Sequence, residues 1–585
     1  MYNPRLGDIH TTRELISRFK GYEKNLSIDE NAFYFTENMG SDSFPALSPR
    51  SKRSFFNVFG DNLQCLCSKE HICYINNGSL YYNGKAVNGL TFSDTVKERR
   101  YVSMGAKLLI FPDKVYINTE NLSDYGSLEA YFKSSDGAVC GMCKADGALY
   151  EDYFSGDTVP EAPSNGDLWL DTTSSPHALK QYSEVIDSWI ELSETYIRIS
   201  CVGIGKQFNV HDGVSLSGFE DIGIKGKHII RDKGDDYIVI TGLVDGSIEL
   251  ENQISVRRRV PDMDFVCENS NRIWGCSSEN NEIYASKLGD PTNFDVFMGI
   301  STDSYAASIG TDGPFTGAIS YRGYLLFFKE NCVHKIYGQN PPYTIITSYI
   351  RGVQRGCSRS LVCLNETLYY KSPGCICAYE GGVPVCVSQN LGKEFYSHAV
   401  AGARGNSYYI CMSDKHKNRH LFVYDEEKAV WYREDNINIT EFSQNNYNLY
   451  FIMESDNTRR LGLIDGENRY GNFTGELHGF VEEEDFQWCV ESGIWGLSLP
   501  ENKYYSDVVL RAVGEKGARI KVYFEYNSDG KWVKQLDRYF EKTGSLLLPF
   551  ITPRCDHMRI KIEGKGHIKI YSISRKIESG SELNV

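Results

Sequence analysis

Long apolar runs, secretory features and enzyme motifs are missing from this 585-residue chain. No run of about 18 apolar residues occurs, so the sequence predicts no transmembrane span. Residues 1–20 carry charges throughout and contain no apolar core, which argues against a secretory signal and leads us to expect folding in a cytoplasm. No P-loop, GxSxG motif or GxGxxG motif between a strand and a helix is present, and no convincing nucleophile is paired with a base. We therefore expect no enzymatic activity and no cofactor.

Methionine is scarce, at 9 residues, whereas Tyr, Phe and Gly number 39, 29 and 53. Aromatic residues suit the pleated, half-buried surface of a strand, and glycine suits the turns between strands. The composition therefore favours an all-β chain.

Metal sites and disulfides are weakly indicated. The 17 cysteines are scattered and odd in number, which favours reduced, buried thiols in a chain of this size. Cys140 and Cys143 form the one CxxC pair, and no second pair stands at zinc-finger spacing. We expect His416 and His420 to lie in a hairpin loop, and the acidic run 482–485 to be a solvated loop rather than a Ca²⁺ site.

The formal net charge is −15, whereas a protein that grips DNA through its phosphates is expected to be basic. Two basic groups are exceptions: Arg50, Lys52 and Arg53, and the run Arg257, Arg258 and Arg259. We interpret both as solvated strand ends or subunit salt bridges, with contact to DNA as the alternative. An acidic wall would not hold a passing DNA, so the charge is compatible with a conduit.

One pattern occurs five times between residues 260 and 470: an aromatic-rich strand, a polar turn and a second strand. The centres of the first strands are spaced 52, 43, 40 and 41 residues apart. Such a period is typical of propeller blades, small sheets that bury their faces by stacking around an axis. The predicted strand pairs begin at Arg272 and Ile283, Tyr324 and Val333, Thr367 and Ile376, Ser407 and Leu421, and Asn448 and Leu461.

Weaker copies between 55 and 119 raise the prediction to about six or seven blades. The predicted fold is an all-β propeller with an inserted small β region and a C-terminal β-sandwich. A short helix is expected at 12–20. The predicted domains are an N-terminal arm at 1–53, the first blades at 54–124, inserted β modules at 125–255, the remaining blades at 256–475 and the sandwich at 476–585.

Three stretches resemble proteins of tailed bacteriophages. Residues 166–169 with Trp189 resemble small β modules that are common in phage structural proteins. Residues 19–22, 35–39 and 45–50 resemble the opening of tail and head-completion proteins. Residues 271–274 (NRIW) with 283–294 (IYASKLGDPTNF) resemble phage tail nozzle propellers, that is, the tail tubular protein B group and the related tail stabilisation proteins. In these, an Asp-Pro-Thr-Asn turn closes the blade. The residues that carry the resemblance are Phe35, Asn38, Pro49, Arg50, Arg272, Trp274, Tyr284, Asp290, Pro291 and Asn293.

The resemblance implies a virion subunit of the tail that assembles as a homohexameric ring below the portal and adaptor. Such rings retain the packaged double-stranded DNA and conduct it during ejection, without binding it specifically. We expect residues 1–53 to become ordered on assembly and to tie neighbouring subunits together. Tail fibres are further candidate partners.

The alternative is a tail-associated receptor-binding protein that recognises host glycans. Aromatic platforms would stack on the sugars. We favour burial of these tryptophans under turns over a sugar platform. The candidates are Trp169, Trp189, Trp495 and Trp532.

Overall fold

The computed structural model describes residues 10–96, 98–219, 224, 226–465, 473–499, 502–542, 544–548 and 552–579. Residues 1–9 of the predicted arm lie outside this set. Strands dominate, and the helices of the described residues are short 3-10 turns, none of which could span a membrane. The turns are Ser358–Ser360, Gln389–Leu391 and Gly475–Leu477.

Six sheets of the described chain share one plan, four antiparallel strands in sequential order, which is the blade of a β-propeller. A seventh sheet follows the same plan but takes its fourth strand from the N-terminal part of the chain. We number the blades in chain order. Blade 1 contains Gln64–Lys69, His71–Asn76, Ser79–Tyr82 and Lys85–Thr91. Blade 2 contains Arg100–Met104, Lys107–Phe111, Val115–Asn118 and Tyr125–Ser127. Blade 3 contains Phe265–Asn269, Arg272–Ser277, Glu282–Ala285 and Tyr305–Ser308.

The later blades follow without a large insertion. Blade 4 contains Gly317–Tyr321, Tyr324–Phe328, Val333–Tyr337 and Thr344–Ser348. Blade 5 contains Val362–Leu364, Thr367–Ser372, Cys375–Tyr379 and Val385–Cys386. Blade 6 contains Ser397–Arg404, Ser407–Ser413, Arg419–Asp425 and Val430–Arg433. Blade 7 contains Ile439–Asn445, Asn448–Ser455, Thr458–Leu463 and Ser54–Gly60, with Val481–Glu482 at its edge.

The predicted propeller is confirmed. The five predicted strand pairs are the second and third strands of blades 3 to 7, and the weaker N-terminal copies are blades 1 and 2. The turns follow from the local sequence. Asn77 and Gly78 both have positive φ, 48° and 76°, which is the conformation that a two-residue hairpin turn requires.

The chain forms two compact units: residues 1–99, 326–334 and 347–585, and residues 100–325 and 335–346. In the first unit, the first strands of blades 5, 6, 7 and 1 lie side by side in that order. Ser54–Gly60 pairs antiparallel with Thr458–Leu463, so an N-terminal strand completes the last blade. This pairing covers an edge that would otherwise be open.

The first unit also contains the predicted sandwich. One sheet has the order His10–Ile16, Ile568–Ser579, Lys503–Gly514 and Gly544–Leu548. The other has the order Phe33–Glu37, Gln487–Ser492, Met558–Lys565, Arg519–Tyr526 and Val533–Tyr539. Alternating apolar residues of both sheets form one buried core, which includes Trp488, Val522 and Ile562. Met39–Gly40 and Ser48–Pro49 form a separate short pair.

The predicted helix at 12–20 is wrong. His10–Ile16 is a strand that pairs over its whole length with Ile568–Ser579, because the edge of the sandwich offers a complete set of hydrogen bonds that overrides weak helix propensity. Phe33–Glu37 likewise pairs with Gln487–Ser492. Two segments of the predicted arm, residues 10–16 and 33–37, are therefore strands of the sandwich of their own chain.

The second unit contains blades 2 and 3 and the inserted region. The insertion has an eight-stranded sheet with its own buried core. Its strand order is Ala130–Lys133, Ser255–Arg258, Gly213–Ser217, Gly226–Lys233, Tyr237–Thr241, Tyr196–Ser200, Ala138–Cys143 and Ile248–Leu250. A four-stranded small sheet contains Phe154–Gly156, Leu168–Asp171, Ala178–Ser183 and Ser188–Glu191. Strands at 130–143 therefore share the larger sheet with strands at 196–258.

Candidate functional site

Two arginines at the end of the predicted arm are the centre of an ion-pair network. Arg50 is buried and follows the strand Ser48–Pro49. Its Nη1 and Nη2 donate to the two carboxylate oxygens of Glu483, at 2.8 and 3.0 Å. Its Nε donates to Asn38 Oδ1 at 2.8 Å, and its Cζ lies 4.0 Å from the ring centroid of Phe486. Arg50 therefore uses its donors within its own chain.

Arg53 is the second centre, with 2% of its surface exposed. It donates from Nη2 to Glu434 at 2.5 Å, and from Nη1 and Nη2 to Asp435 at 2.7 and 3.1 Å. Both carboxylates follow the last strand of blade 6. We call Arg50, Arg53, Glu434, Asp435 and Glu483 the arginine junction. It ties the N-terminal segment to blade 6 and to the segment that enters the sandwich.

The pKa values in the arginine junction reflect a competition between burial and the arginine charges. Burial raises the pKa of Glu434 by more than the arginines lower it. At Asp435, burial also acts to raise the pKa, but the charge and hydrogen bonds of Arg53 outweigh it, so the pKa is lowered. The same balance with Arg50 lowers the pKa of Glu483. Such a network anchors elements of the fold to one another.

These contacts correct two predictions. Arg50 and Arg53 are buried and are not solvated strand ends, because carboxylates of the same chain pair with them. The acidic run 482–485 is not a solvated loop throughout, because Glu483 is held at the arginine junction. Lys52 and Asp485 form a more exposed pair beside it, 2.8 Å apart.

A cleft of about 840 Å³ adjoins the arginine junction. Acidic and basic side chains both line this cleft, so it is a polar cleft and not an apolar ligand pocket. Its charged lining residues are Arg50, Lys52, Asp465, Glu482, Asp485, Glu515, Lys516, Arg519, Lys521, Glu563, Lys565 and His567.

The other predicted arm residues have framework positions. Asn38 has a φ of 55° and donates its side-chain amide to the carbonyl of Gln487 at 2.8 Å. Pro49 is buried. The guanidinium of Arg433 lies over the ring of Phe35, 5.0 Å from its centroid. Phe35, Asn38, Pro49 and Arg50 are thus brought into one region of the first unit.

In the second unit, the Asp-Pro-Thr-Asn segment forms a tight turn after the paired strands of blade 3. Asp290 accepts hydrogen bonds from the amide and the hydroxyl of Thr292, at 2.9 and 2.7 Å. These bonds and one from Asn293 lower the pKa of Asp290, although burial acts against them. Pro291 is buried. An Asp side chain that binds the backbone two residues later is typical turn chemistry.

The turn is bound to the inserted region through Asn293. Its amide nitrogen donates to Asp212 Oδ1, and its amide oxygen accepts from the Gly213 N–H, both at 3.0 Å. Arg258 completes the network by donating from Nη1 to Asp212 Oδ2 at 2.5 Å. Asn293, Asp212 and Arg258 are all buried. We call them the blade 3 clamp.

The clamp corrects the prediction for Arg258. This residue is 7% exposed and pairs with Asp212 of its own chain, so it is not a solvated strand end. Arg257 and Arg259, its neighbours in the same run, are exposed. Arg257 lies over the ring of Tyr131, 4.4 Å from its centroid. For these two arginines, DNA or subunit contact stays a prediction.

The remaining residues of the resemblance also serve the framework of blade 3. Arg272 is buried and donates to the backbone carbonyls of Ser286 and Ser301, each at 2.7 Å, and burial lowers its pKa. Trp274 is buried, and its ring packs against those of two tyrosines. Tyr284 is half-buried, and its hydroxyl donates to Glu282 at 2.6 Å.

The candidate metal ligands lie apart. Cys140 and Cys143 are buried in the inserted sheet, where burial raises the pKa of both thiols to about 12. His416 lies in the hairpin loop of blade 6 as predicted, whereas His420 lies in the following strand, 3.0 Å from Asp414. Within the part of the chain that the structure describes, no group of three or more His, Cys, Asp or Glu side chains is arranged to hold a metal ion.

The tryptophans named as sugar platforms have two different environments. Trp169 and Trp495 are buried, as favoured above. Trp189 is half-exposed and packs edge-on against Trp169, with ring centroids 5.6 Å apart. A cavity of about 610 Å³ opens beside these two rings on the small sheet. Its other lining residues include Asp171, Lys180 and Tyr182.

No family model matches this chain, and no curated protein matches its sequence. Among solved structures, it is similar to an exo-β-1,3-galactanase of Phanerochaete chrysosporium at 11% identity and a TM-score of 0.22, over 53% of this chain and 94% of that chain. It is similar to PorZ of Porphyromonas gingivalis, a surface component of the type-IX secretion system, at 12% identity and 0.26, over 83% and 70%.

A sialidase of Trypanosoma rangeli is similar at 8% identity and a TM-score of 0.21, over 97% of this chain and 95% of that chain. At these identities and TM-scores, none of the three likenesses carries an argument about function. The seven blades themselves define the class of the protein, an all-β propeller.

Proposed function

We propose that this chain is a structural subunit of a tailed-bacteriophage virion, a tail nozzle or hub protein that forms a homohexameric ring. The ring closes the tail channel, retains the packaged DNA and conducts it during ejection. Its partners are sister subunits, the portal and adaptor or other tail proteins, and tail fibres. The chain is assembled in the host cytoplasm and acts without catalysis.

The proposal rests on the contacts of the residues that carry the resemblance to nozzle propellers. These residues serve the framework of the fold. Arg272 binds backbone carbonyls, Asp290 shapes a turn, and Asn293 binds the inserted region. Side chains that are buried and bound to the backbone define a shape and do not offer groups to a substrate. The arginine junction has the same character. A protein whose role is to be a rigid part of a channel needs such anchors.

The net charge of −15 agrees with this role. A DNA-gripping surface needs clustered cations, whereas three of the candidate cations, Arg50, Arg53 and Arg258, are paired with carboxylates of the same chain. DNA in the channel would then slide and would not be held.

Electron microscopy of purified phage particles, labelled with an antibody to residues 476–585, tests the proposal. Label on the tail axis, with sixfold symmetry in the averaged ring, supports it. Label on lateral appendages, or particles that lack the chain, overturns it. An antibody to a known capsid protein controls for label access.

The cavity beside Trp189 favours a second candidate function, recognition of a host glycan. A half-exposed indole next to Tyr182 and the Asp171–Lys180 pair combines a stacking face with hydrogen-bonding groups. A glycan array probed with the full chain tests it. Binding that is lost in Trp189→Ala but kept in Trp532→Ala supports glycan recognition at the small sheet, and absence of binding counts against it.

A further inference from the structure

Three cysteine thiols and one guanidinium meet in blade 5. Cys375 and Cys377 lie two residues apart on one strand, with their sulfur atoms 3.6 Å apart. Cys386 on the last strand pairs with Cys377 in the sheet register. Arg351 donates from Nη1 to Cys375 Sγ at 3.4 Å. The function proposed above uses none of these groups.

We infer that Cys375 is a reactive thiol that takes hydroperoxides and soft alkylating electrophiles, with Cys377 as its resolving partner. A thiolate is the nucleophilic form of cysteine, and a neighbouring cation stabilises it. Arg351 supplies that cation, and its side chain reaches solvent while its tip lies on the sulfur. The inference does not depend on the proposed function.

The hydrogen bonds within the cluster also favour the thiolate form of Cys375. Hydrogen bonding with Cys377, Cys386 and Arg351 lowers the pKa of the Cys375 thiol although burial opposes it. The bond to Cys375 and burial raise the pKa of Cys377. In blade 1, burial and hydrogen bonds with Cys65 and Cys73 raise the pKa of Cys67.

The reaction with a hydroperoxide has two steps. The Cys375 thiolate attacks the terminal oxygen, the O–O bond breaks, and the sulfur becomes a sulfenic acid, while the departing alkoxide or hydroxide takes a proton from water and leaves as an alcohol or as water. The Cys377 sulfur then attacks the Cys375 sulfur, an S–S bond forms, the S–O bond breaks, and water leaves with the proton of Cys377. The hydroperoxide takes up the two electrons. The Cα atoms of residues i and i+2 in a strand are about 6.6 Å apart, which lies within the Cα–Cα range that a disulfide bridges.

Exposure alone predicts a different order of reactivity. Cys363, on the first strand of the same blade, is exposed, whereas Cys375 is 8% exposed. We expect substoichiometric iodoacetamide at pH 6.5, applied to the native full chain, to label Cys375 about tenfold faster than Cys363, as read by peptide mass spectrometry. Faster labelling of Cys363 would overturn the inference.

Two variants test the role of the guanidinium. In Arg351→Gln, the labelling rate of Cys375 should fall about tenfold at pH 6.5, and its pH profile should move to higher pH. Arg355→Gln, which removes another exposed arginine nearby, should leave both unchanged. An unaltered profile in Arg351→Gln, with the same melting temperature as the wild type, refutes the assigned role.

Treatment with one equivalent of hydrogen peroxide tests whether Cys377 is the resolving partner of Cys375. The peptide that contains Cys375 and Cys377 should lose two hydrogen masses and resist later alkylation. In Cys377→Ser, a sulfenic acid should persist at Cys375 and react with a 1,3-dicarbonyl probe. A disulfide between Cys375 and Cys386 would overturn the choice of Cys377, and oxidation that begins at another cysteine would overturn the site.

Discussion

Asn293 in the blade 3 turn donates its side-chain amide to the carboxylate of Asp212, which lies 81 residues earlier in the inserted region, at 3.0 Å. The same carboxylate accepts from Arg258 on its other oxygen. The buried side chain of Asn293 thus joins the segment 283–294, which resembles nozzle propellers, to the inserted region. The inserted region is attached to the framework of blade 3 through hydrogen bonds and not only through its chain connections.

The clamp predicts opposite outcomes for two adjacent arginines. Arg258→Ala should destabilise the second unit by about 3–5 kcal/mol, because it leaves the carboxylate of Asp212 buried without its charge partner. Arg257→Ala removes an exposed side chain and should cost less than about 1 kcal/mol. Chemical denaturation followed by fluorescence measures both. Equal losses in the two variants would contradict the burial of Arg258.

The arginine junction gives a second matched pair. Arg53→Met should lower the free energy of unfolding of the first unit by about 3–5 kcal/mol, since Glu434 and Asp435 lose their shared partner. Lys52→Ala breaks only the half-exposed pair with Asp485 and should cost about 1 kcal/mol or less. Differential scanning calorimetry compares them. A melting temperature of Arg53→Met at or above that of Lys52→Ala would show that the network is not an anchor.

Closure of blade 7 by an N-terminal strand is testable on that strand itself. Phe56 is fully buried and its ring lies 5.0 Å from that of Phe473, so Phe56→Ala should cost about 3–5 kcal/mol. Phe59, on the same strand, is 55% exposed, and Phe59→Ala should change stability by about 0.5 kcal/mol or less. Hydrogen exchange of Thr458–Leu463 reports on the pairing. Faster exchange is expected in Phe56→Ala and not in Phe59→Ala.

His334 predicts a pH dependence of stability. Burial and the charge of Lys329 lower its pKa from 6.5 to about 4, and its Nδ1 lies 2.9 Å from the Thr347 hydroxyl. Between pH 6.5 and 4 the unfolded chain therefore binds more protons at this residue than the folded chain. Its contribution is fully present above pH 6.5 and is lost as the pH falls toward 4.

We expect that loss to be on the order of 2 kcal/mol. In His334→Gln, the fall in melting temperature from pH 7 to pH 4.5 should be smaller than in the wild type. His416→Gln, which changes an exposed histidine of a hairpin loop, should follow the wild type. The prediction fails when His334→Gln shows the full acid sensitivity.

By itself, the sequence determined the blades. A blade is made of neighbouring strands and tight turns, so alternation of apolar residues and turn pairs such as Asn77 and Gly78 specify it locally. For that reason the sequence predicts the second and third strands of blades 3 to 7 at their observed positions. The Asp-Pro-Thr-Asn turn also depends on contacts within a few residues.

Only the tertiary structure decided which distant segments pair. Arg53 meets Glu434 across 381 residues and Arg50 meets Glu483 across 433, and no local pattern assigns such partners. The tertiary structure also made a strand of His10–Ile16, because the neighbouring strand Ile568–Ser579 supplies its hydrogen bonds. Local propensity is worth tenths of a kcal/mol per residue, whereas a complete strand pairing in a buried sandwich outweighs it.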